Sequence, residues 1–180
     1  SVLKLMFKYK GESYNNVEYF KASKELVKGH DYSVAGAVEH MIRYSDNNAY
    51  FVLYNAIISS TLKQTYTYLD IPTPDSDNYI ISARTYGSFF RILYNSTFLS
   101  REYSEQALNL LSQTEFDQGI VAGVPKSITV AHKFGERQTA TGEKYLHDCG
   151  IVYEKSLPYM LCVMTKGNDF EAMADAIADV

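Results

Sequence analysis

A serine and a lysine at the start of the chain, Ser1 and Lys4, form a pair that can do chemistry. A serine hydroxyl attacks a carbonyl carbon only when a neighbouring base removes its proton. Residues spaced as these two are share one face of a helix, so the two side chains would point the same way. An amine that is partly desolvated, or close to other cations, can serve as the base. The pattern is common, since Ser60 and Lys63 repeat it.

Two further motifs follow in the chain. Ser45, Asp46 and Asn47 lie between two segments with helical patterns. These residue types form turns and helix caps, because their side chains bond nearby backbone groups. The other motif, Lys133-Phe134-Gly135, stands where the pattern changes to that of strands. Its glycine carries no side chain, so backbone or ligand can approach closely there.

The ordered set Ser-x-x-Lys, Ser-Asp-Asn and Lys-x-Gly resembles the signature of class A β-lactamases and penicillin-binding proteins. The pair at Ser60 and Lys63 comes after Ser-Asp-Asn and falls outside that order, so it is interpreted as an ordinary helix face. The flanks of the motifs also resemble the family, and the similarity covers nearly all of residues 1–180. These flanks are residues 32–49, 122–133, 148–152 and 164–167.

The resemblance implies a serine acyl-transfer hydrolase that acts on β-lactams or D-alanyl peptides outside the cytoplasm, in the periplasm or at the cell surface. It implies no cofactor and no metal. The roles it implies are the nucleophile Ser1, the base Lys4, the proton relay Ser45, the structural Asp46, the substrate-binding Asn47 and Gly135, the cationic Lys133, and an oxyanion hole formed by the N–H groups of Ser1 and Glu136.

The chain departs from the family pattern in two places. Phe134 stands where the family has a hydroxyl residue that holds the substrate carboxylate, so Arg137 or Thr139 would have to replace it. The loop at residues 70–81 lacks the glutamate that activates the deacylating water in class A β-lactamases; it offers instead Asp70, Asp75 and Asp77. We therefore expect slow deacylation, as in a penicillin-binding protein, a DD-peptidase or a poor β-lactamase.

The composition limits the other functions. The chain has 180 residues, of which 46% are hydrophobic, and it is predicted to form a single domain, residues 1–180. A net charge of −4 gives no electrostatic footprint for nucleic acid or an anionic membrane. No apolar run approaches the ~20 residues of a membrane span. Cys149 and Cys162 fit neither a disulfide scaffold nor a zinc site, so core thiols are favoured, with a cross-strand disulfide left open.

The periodicity predicts an α+β fold in which helices pack against an antiparallel sheet. Residues 1–12 fit a strand or a helix, and the family resemblance decides for a helix. Further helices are predicted over residues 33–44 with Ser33 as N-cap, over 48–69 with a break near Ser59 and Ser60, from Ser82, over 100–112 and after Asn168. Strands are predicted at 127–133, 149–153 and 159–165.

Two alternatives and one expectation remain open. Ser1 could be the nucleophile of an N-terminal-nucleophile hydrolase, with its own amine as base. The chain could also be a non-catalytic family member that binds cell-wall peptide or a protein partner. Because the family's sheet includes strands that precede the serine helix, we expect the natural protein to carry an N-terminal segment that completes the sheet.

Overall fold

The computed structural model describes residues 2–14, 17–57, 59–72 and 80–180. They fall into two compact units, Ser1–Asp70 and Ile71–Val180, and each unit is considered by itself. Among the described residues, no helix is both long and apolar enough to cross a membrane.

The first unit begins with a short 3-10 helix, Val2–Lys4, followed by a small antiparallel sheet. Strand β1, Met6–Lys8, pairs with β2, Asp31–Ser33, so that Phe7 lies opposite Tyr32. The predicted helix over residues 1–12 is therefore wrong. The alternating pattern decides in favour of a strand because it brings Phe7 against Tyr32 and buries Tyr9 with Leu26.

Three helices complete the first unit, as the periodicity predicted. They are α1, Val34–Arg43, α2, Asn47–Ala56, and α3, Ser59–Tyr68. The Ser33 hydroxyl accepts a hydrogen bond from the Gly36 N–H at 3.0 Å, which confirms the predicted N-cap. Helix α2 ends before Ile57, close to the predicted break.

The second unit holds a three-stranded antiparallel sheet in the order β3-β4-β5. Its strands are β3, Thr129–Gln138, β4, Lys144–Tyr153, and β5, Tyr159–Gly167. Helices α4, Ala83–Asn95, and α5, Arg101–Leu111, precede the sheet, and α6, Phe170–Ala178, follows it. Ser82 and Ser100 cap α4 and α5 as predicted. Helices therefore pack against an antiparallel sheet, which confirms the α+β fold.

Two details of the second unit differ from the sequence-based expectation. Asp169, and not Asn168, caps α6, because its carboxylate reaches the N–H groups of Glu171 and Ala172. Cys149 and Cys162 lie directly opposite each other in the register of β4 and β5 and are joined by a disulfide bond. The preference for core thiols was therefore wrong, since periodicity does not give strand register.

Candidate active site

The site residues predicted from the sequence divide between the two units. Lys4, Ser45, Asp46 and Asn47 belong to the first unit. The second unit holds those around the Lys-x-Gly motif, which are Lys133, Gly135, Glu136 and Arg137. Ser1, the predicted nucleophile, lies outside the described residues, as do Asp75 and Asp77. Lys4 is the last residue of the 3-10 helix and its side chain is exposed.

Ser45 occupies the sharp turn between α1 and α2. Its backbone has φ = 56°, in the left-handed region that non-glycine residues rarely adopt. Such a conformation costs on the order of 1–3 kcal/mol and persists only where the surrounding structure enforces it. The turn therefore directs the Ser45 hydroxyl by a backbone conformation that the chain would not choose by itself.

Asp46 enforces that turn. Its side chain is fully buried, and its Oδ1 accepts hydrogen bonds from the N–H groups of Asn48 and Ala49, capping α2. Its Oδ2 accepts a bond from the Leu26 N–H at 2.7 Å and lies 3.2 Å from Nδ1 of His40. One carboxylate thus joins the start of α2, the end of α1 and a distant loop. The sequence indicated the cap but not the partners Leu26 and His40.

Asn47 begins α2 and carries an amide that is already engaged. Its Nδ2 donates a hydrogen bond to the carboxylate of Glu18. The side chain of the neighbouring Asn48 accepts a hydrogen bond from the Tyr14 N–H at 3.2 Å. Both asparagines therefore connect α2 to the chain between β1 and β2. A substrate carbonyl that takes its hydrogen bond from Asn47 would have to share this amide with Glu18. No sequence signal marked Glu18.

The residues of the Lys-x-Gly motif alternate between the two faces of β3. Lys133, Gly135 and Arg137 belong to one face, and Phe134 and Glu136 to the other. The ring of Phe134 is buried and stacks on Phe116 with a centroid distance of 4.0 Å. Packing therefore explains why this chain has an aromatic residue where the family pattern has a hydroxyl.

Gly135 is required by its neighbour on β4. A Cβ atom at this position would meet Nε2 of His147 at 2.3 Å, a distance that real Cβ atoms essentially never show. The ring of Tyr86 meets His147 edge-on at 5.4 Å, and its hydroxyl donates to the Lys133 carbonyl oxygen at 2.8 Å. Tyr86 and His147 thus support the strand that carries the motif. The sequence suggested a ligand-related reason for Gly135, and the structure adds this packing reason.

The pKa values of Tyr86 and His147 are both shifted from their ordinary values. Burial raises the pKa of Tyr86, and the nearby charge of Asp148 raises it further. Burial lowers the pKa of His147; Lys133 acts in the same direction and Asp148 opposes both. His147 is therefore neutral at neutral pH, and it does not add a second positive charge beside Lys133.

A buried pair lies on the other face of the sheet. Nδ1 of His132 is 3.0 Å from both carboxylate oxygens of Asp148, and both side chains are at most 1% exposed. Asp148 also accepts a hydrogen bond from the Ile120 N–H, and the His132 carbonyl oxygen accepts one from the Thr114 hydroxyl. His132 immediately precedes Lys133, so this network fixes the backbone next to the motif.

The remaining described candidates are Glu136 and Arg137 in the second unit and Asp70 in the first. Glu136 and Arg137 face Leu146 and Tyr145 in the register of β3 and β4. Asp70 follows α3 with φ = 52° and is the one aspartate of the 70–81 loop that the structure describes. Within the described ranges, no cluster of three or more histidine, cysteine or acidic side chains could hold a metal ion.

The fold is that of class A β-lactamases. The chain superposes on a β-lactamase from Sphaerobacter thermophilus with a TM-score of 0.77 and 19% identity, covering 98% of this chain and 70% of the other. It superposes on an ancestral class A β-lactamase with a TM-score of 0.75 and 18% identity, covering 98% of this chain and 73% of the other. For a protein named PBP-A the TM-score is 0.71 and the identity 18%, and the superposition covers 98% of this chain and 69% of that protein.

The sequence comparisons lead to the same group of proteins. No curated protein matches the chain in sequence. A family model described as the beta-lactamase enzyme family matches residues 3–180, which is nearly the whole chain. The chain belongs to the beta-lactamase enzyme family.

Proposed function

We propose that this protein is a serine acyl-transfer hydrolase that forms an acyl-enzyme with β-lactams or D-alanyl peptides. The observation that carries the proposal is the Ser45-Asp46-Asn47 turn, in which a buried carboxylate enforces a left-handed serine between two helices. Strained backbone that is enforced in this way is concentrated at functional sites. A left-handed serine also stands at Ser96, where it caps the C-terminus of α4, so what distinguishes Ser45 is the fully buried Asp46 that follows it and anchors its turn.

The proposed mechanism has two chemical steps. In the first, Lys4 accepts the Ser1 proton and Ser1 attacks the substrate carbonyl. The resulting oxyanion is held by the N–H groups of Ser1 and Glu136, a stabilisation typically worth about 3 kcal/mol for each donor. The C–N bond then breaks, and Ser45 relays a proton to the leaving nitrogen. Asn47, Gly135 and Arg137 contact the substrate, and Lys133 attracts its carboxylate.

We propose that the second step, hydrolysis of the acyl-enzyme, is slow. The loop at residues 70–81 contains no glutamate that could activate the attacking water. A structurally similar protein, a mutant of PBP-A, is described as an acyl-enzyme complex with penicillin G. A long-lived penicillin adduct of the same kind is what we expect for this chain.

Intact-mass spectrometry after incubation with a labelled penicillin tests the proposal. A persistent adduct that maps to Ser1, and that is absent from Ser1→Ala, is the expected result. A transient adduct with hydrolysed drug would instead make the protein a β-lactamase, with Asp70, Asp75 or Asp77 as the group that activates water. If wild-type protein formed no adduct, the proposed reaction would be wrong.

A second candidate, a non-catalytic member that binds cell-wall peptide, is favoured by two observations. The Phe134 ring stacks on Phe116 and offers no hydroxyl to a substrate carboxylate, and the Asn47 amide already donates a hydrogen bond to Glu18. Reversible binding of a D-alanyl peptide without any penicillin adduct would favour this candidate. The N-terminal-nucleophile alternative loses its support, since those enzymes have a four-layer sandwich and this chain has the β-lactamase fold.

Two further proposals concern the whole protein. We propose that residues 1–180 act as one functional domain and that the protein works in the periplasm or at the cell surface, where peptidoglycan is accessible. The family membership supports both.

A further inference from the structure

His40 and Asp46 are joined by two hydrogen bonds that enclose the Ser45 turn. The Asp46 N–H donates to the His40 carbonyl oxygen at 3.1 Å. In the other direction, Nδ1 of His40 is 3.2 Å from Oδ2 of Asp46, and because a carboxylate only accepts, the imidazole is the donor. Backbone and side chain of His40 thus both hold Asp46, and the chain between them, including Ser45, forms a closed loop.

Aromatic neighbours fix the orientation of the His40 ring. Tyr32 and Tyr44 meet it edge-on, at centroid distances of 5.6 and 5.2 Å. The side chain of His40 is only 17% exposed. The hydroxyl of Tyr32 in turn accepts a hydrogen bond from the Val27 N–H, next to Leu26. The imidazole is therefore held on two sides while it points its Nδ1 proton at the carboxylate.

The bond from His40 is separate from the helix cap. The N–H groups of Asn48 and Ala49 bond to Oδ1 of Asp46, whereas His40 bonds to Oδ2. Without the imidazole, α2 would keep its cap and Asp46 would keep its bond from Leu26. What would be lost is the side-chain link between the end of α1 and the residue that follows Ser45.

We propose that His40 is a positioning residue for acylation, which acts through Asp46 to hold Ser45 in its left-handed conformation. The inference rests on the proposed function, in which Ser45 relays the proton to the leaving nitrogen. A relay works only from a near-attack geometry, so a small displacement of its hydroxyl slows the chemical step. Initial substrate binding does not depend on this hydroxyl and should change little.

The test is the kinetics of acylation by a fluorescent penicillin, measured over a range of concentrations with the intact protein. This separates the dissociation constant of the first complex from the rate constant of acylation. In His40→Ala we expect the rate constant to fall by about 10- to 100-fold, the range that a misplaced catalytic group produces, with little change in the dissociation constant. His40→Asn should recover most of the rate, since its amide N–H can replace the Nδ1 donor.

A matched control comes from the other histidine of the first unit. His30 is exposed, and its hydrogen bonds to Tyr9 and Val27 use backbone atoms that alanine keeps, so His30→Ala should react like wild type. Melting temperatures of all variants separate a loss of folded protein from a loss of rate. If His40→Ala proves unfolded, His40→Phe, which keeps an aromatic ring against Tyr32 and Tyr44 but has no hydrogen-bond donor, replaces it.

Each outcome decides one question. A slow His40→Ala variant with a rescued His40→Asn supports the positioning role. Equal rates in wild type and His40→Ala, or equal losses in the alanine and asparagine variants, overturn it. If wild type itself forms no adduct, the proposed function fails and the positioning role falls with it. The ¹⁵N shifts of His40 then still test the hydrogen bond, because a protonated Nδ1 must respond to Asp46→Asn.

Discussion

Each unit of the protein contains a buried aspartate paired with a histidine beside a motif residue. In the first unit, Asp46 meets His40 next to Ser45, and in the second, Asp148 meets His132 next to Lys133. The pairs differ in solvent access, because the His40 side chain is 17% exposed and that of His132 only 1%. They also differ in backbone partners, since Asp46 accepts three backbone N–H bonds, whereas the structure gives Asp148 the bond from Ile120.

The difference indicates two ways of holding in place the backbone next to a motif residue. In the helical turn, the aspartate is stabilised mainly by backbone donors, and the histidine adds one further bond from a partly hydrated position. In the sheet, each side chain of the pair depends mainly on the other, because water does not reach either one. A buried pair of this kind costs much when one partner is removed and little when both are replaced together.

The largest effect is expected for Asp148→Ala. This change leaves His132 and the Ile120 N–H buried without their acceptor, so we expect the free energy of unfolding to fall by about 3–5 kcal/mol. Urea denaturation measures it. Asp169→Ala is the control, since it removes an exposed cap worth about 1 kcal/mol. A loss for Asp148→Ala no larger than that of the control would contradict the contrast between the two pairs.

A smaller effect is expected for Asp46→Ala. The helix cap and the bond to the Leu26 N–H disappear, but the His40 side chain is 17% exposed and can bond to water in place of Asp46, so we expect the free energy of unfolding to fall by about 2–3 kcal/mol. Double-mutant cycles compare the two pairs directly. The interaction free energy between His132 and Asp148 should exceed that between His40 and Asp46. Equal couplings measured in the same urea titrations would show that solvent access does not separate the two pairs.

The smallest effect concerns His147, whose ring meets Tyr86 and Gly135 rather than a carboxylate. Its pKa is lowered from 6.5 by burial, so below that pH the unfolded chain binds a proton that the folded chain does not. The free energy of unfolding should therefore fall as the pH drops below 6.5, by at most about 1.4 kcal/mol per pH unit, and level off below the folded-state pKa.

His147→Gln serves as the comparison for that pH dependence. The difference between the wild-type and variant stability curves should be flat above pH 6.5 and slope below it. Subtracting the curves removes the contributions of the other histidines and of the carboxylates. A flat difference over the whole range would show that His147 titrates alike in the folded and unfolded chains.

The sequence predicted well the elements whose signals are local. The caps at Ser33, Ser82 and Ser100 follow from a side chain bonding to the next turn of the same helix. The three strands of the second unit follow from short apolar or alternating runs between turn residues. The helix predicted over residues 1–12 failed because helical and strand spacings both fit, and the pairing of β1 with β2 decided between them.

The amino-acid sequence by itself determined the family, the order of helices and strands from α1 onwards, and the three motifs, because each is encoded in residue types at short, fixed spacings. The tertiary structure decided which distant residues support those motifs. His147 lies across Gly135, Phe134 stacks on Phe116, and Cys149 bonds to Cys162 because strand register and helix packing bring them together. Spacing within a single strand or helix carries no information about such neighbours, and only the folded chain supplies it.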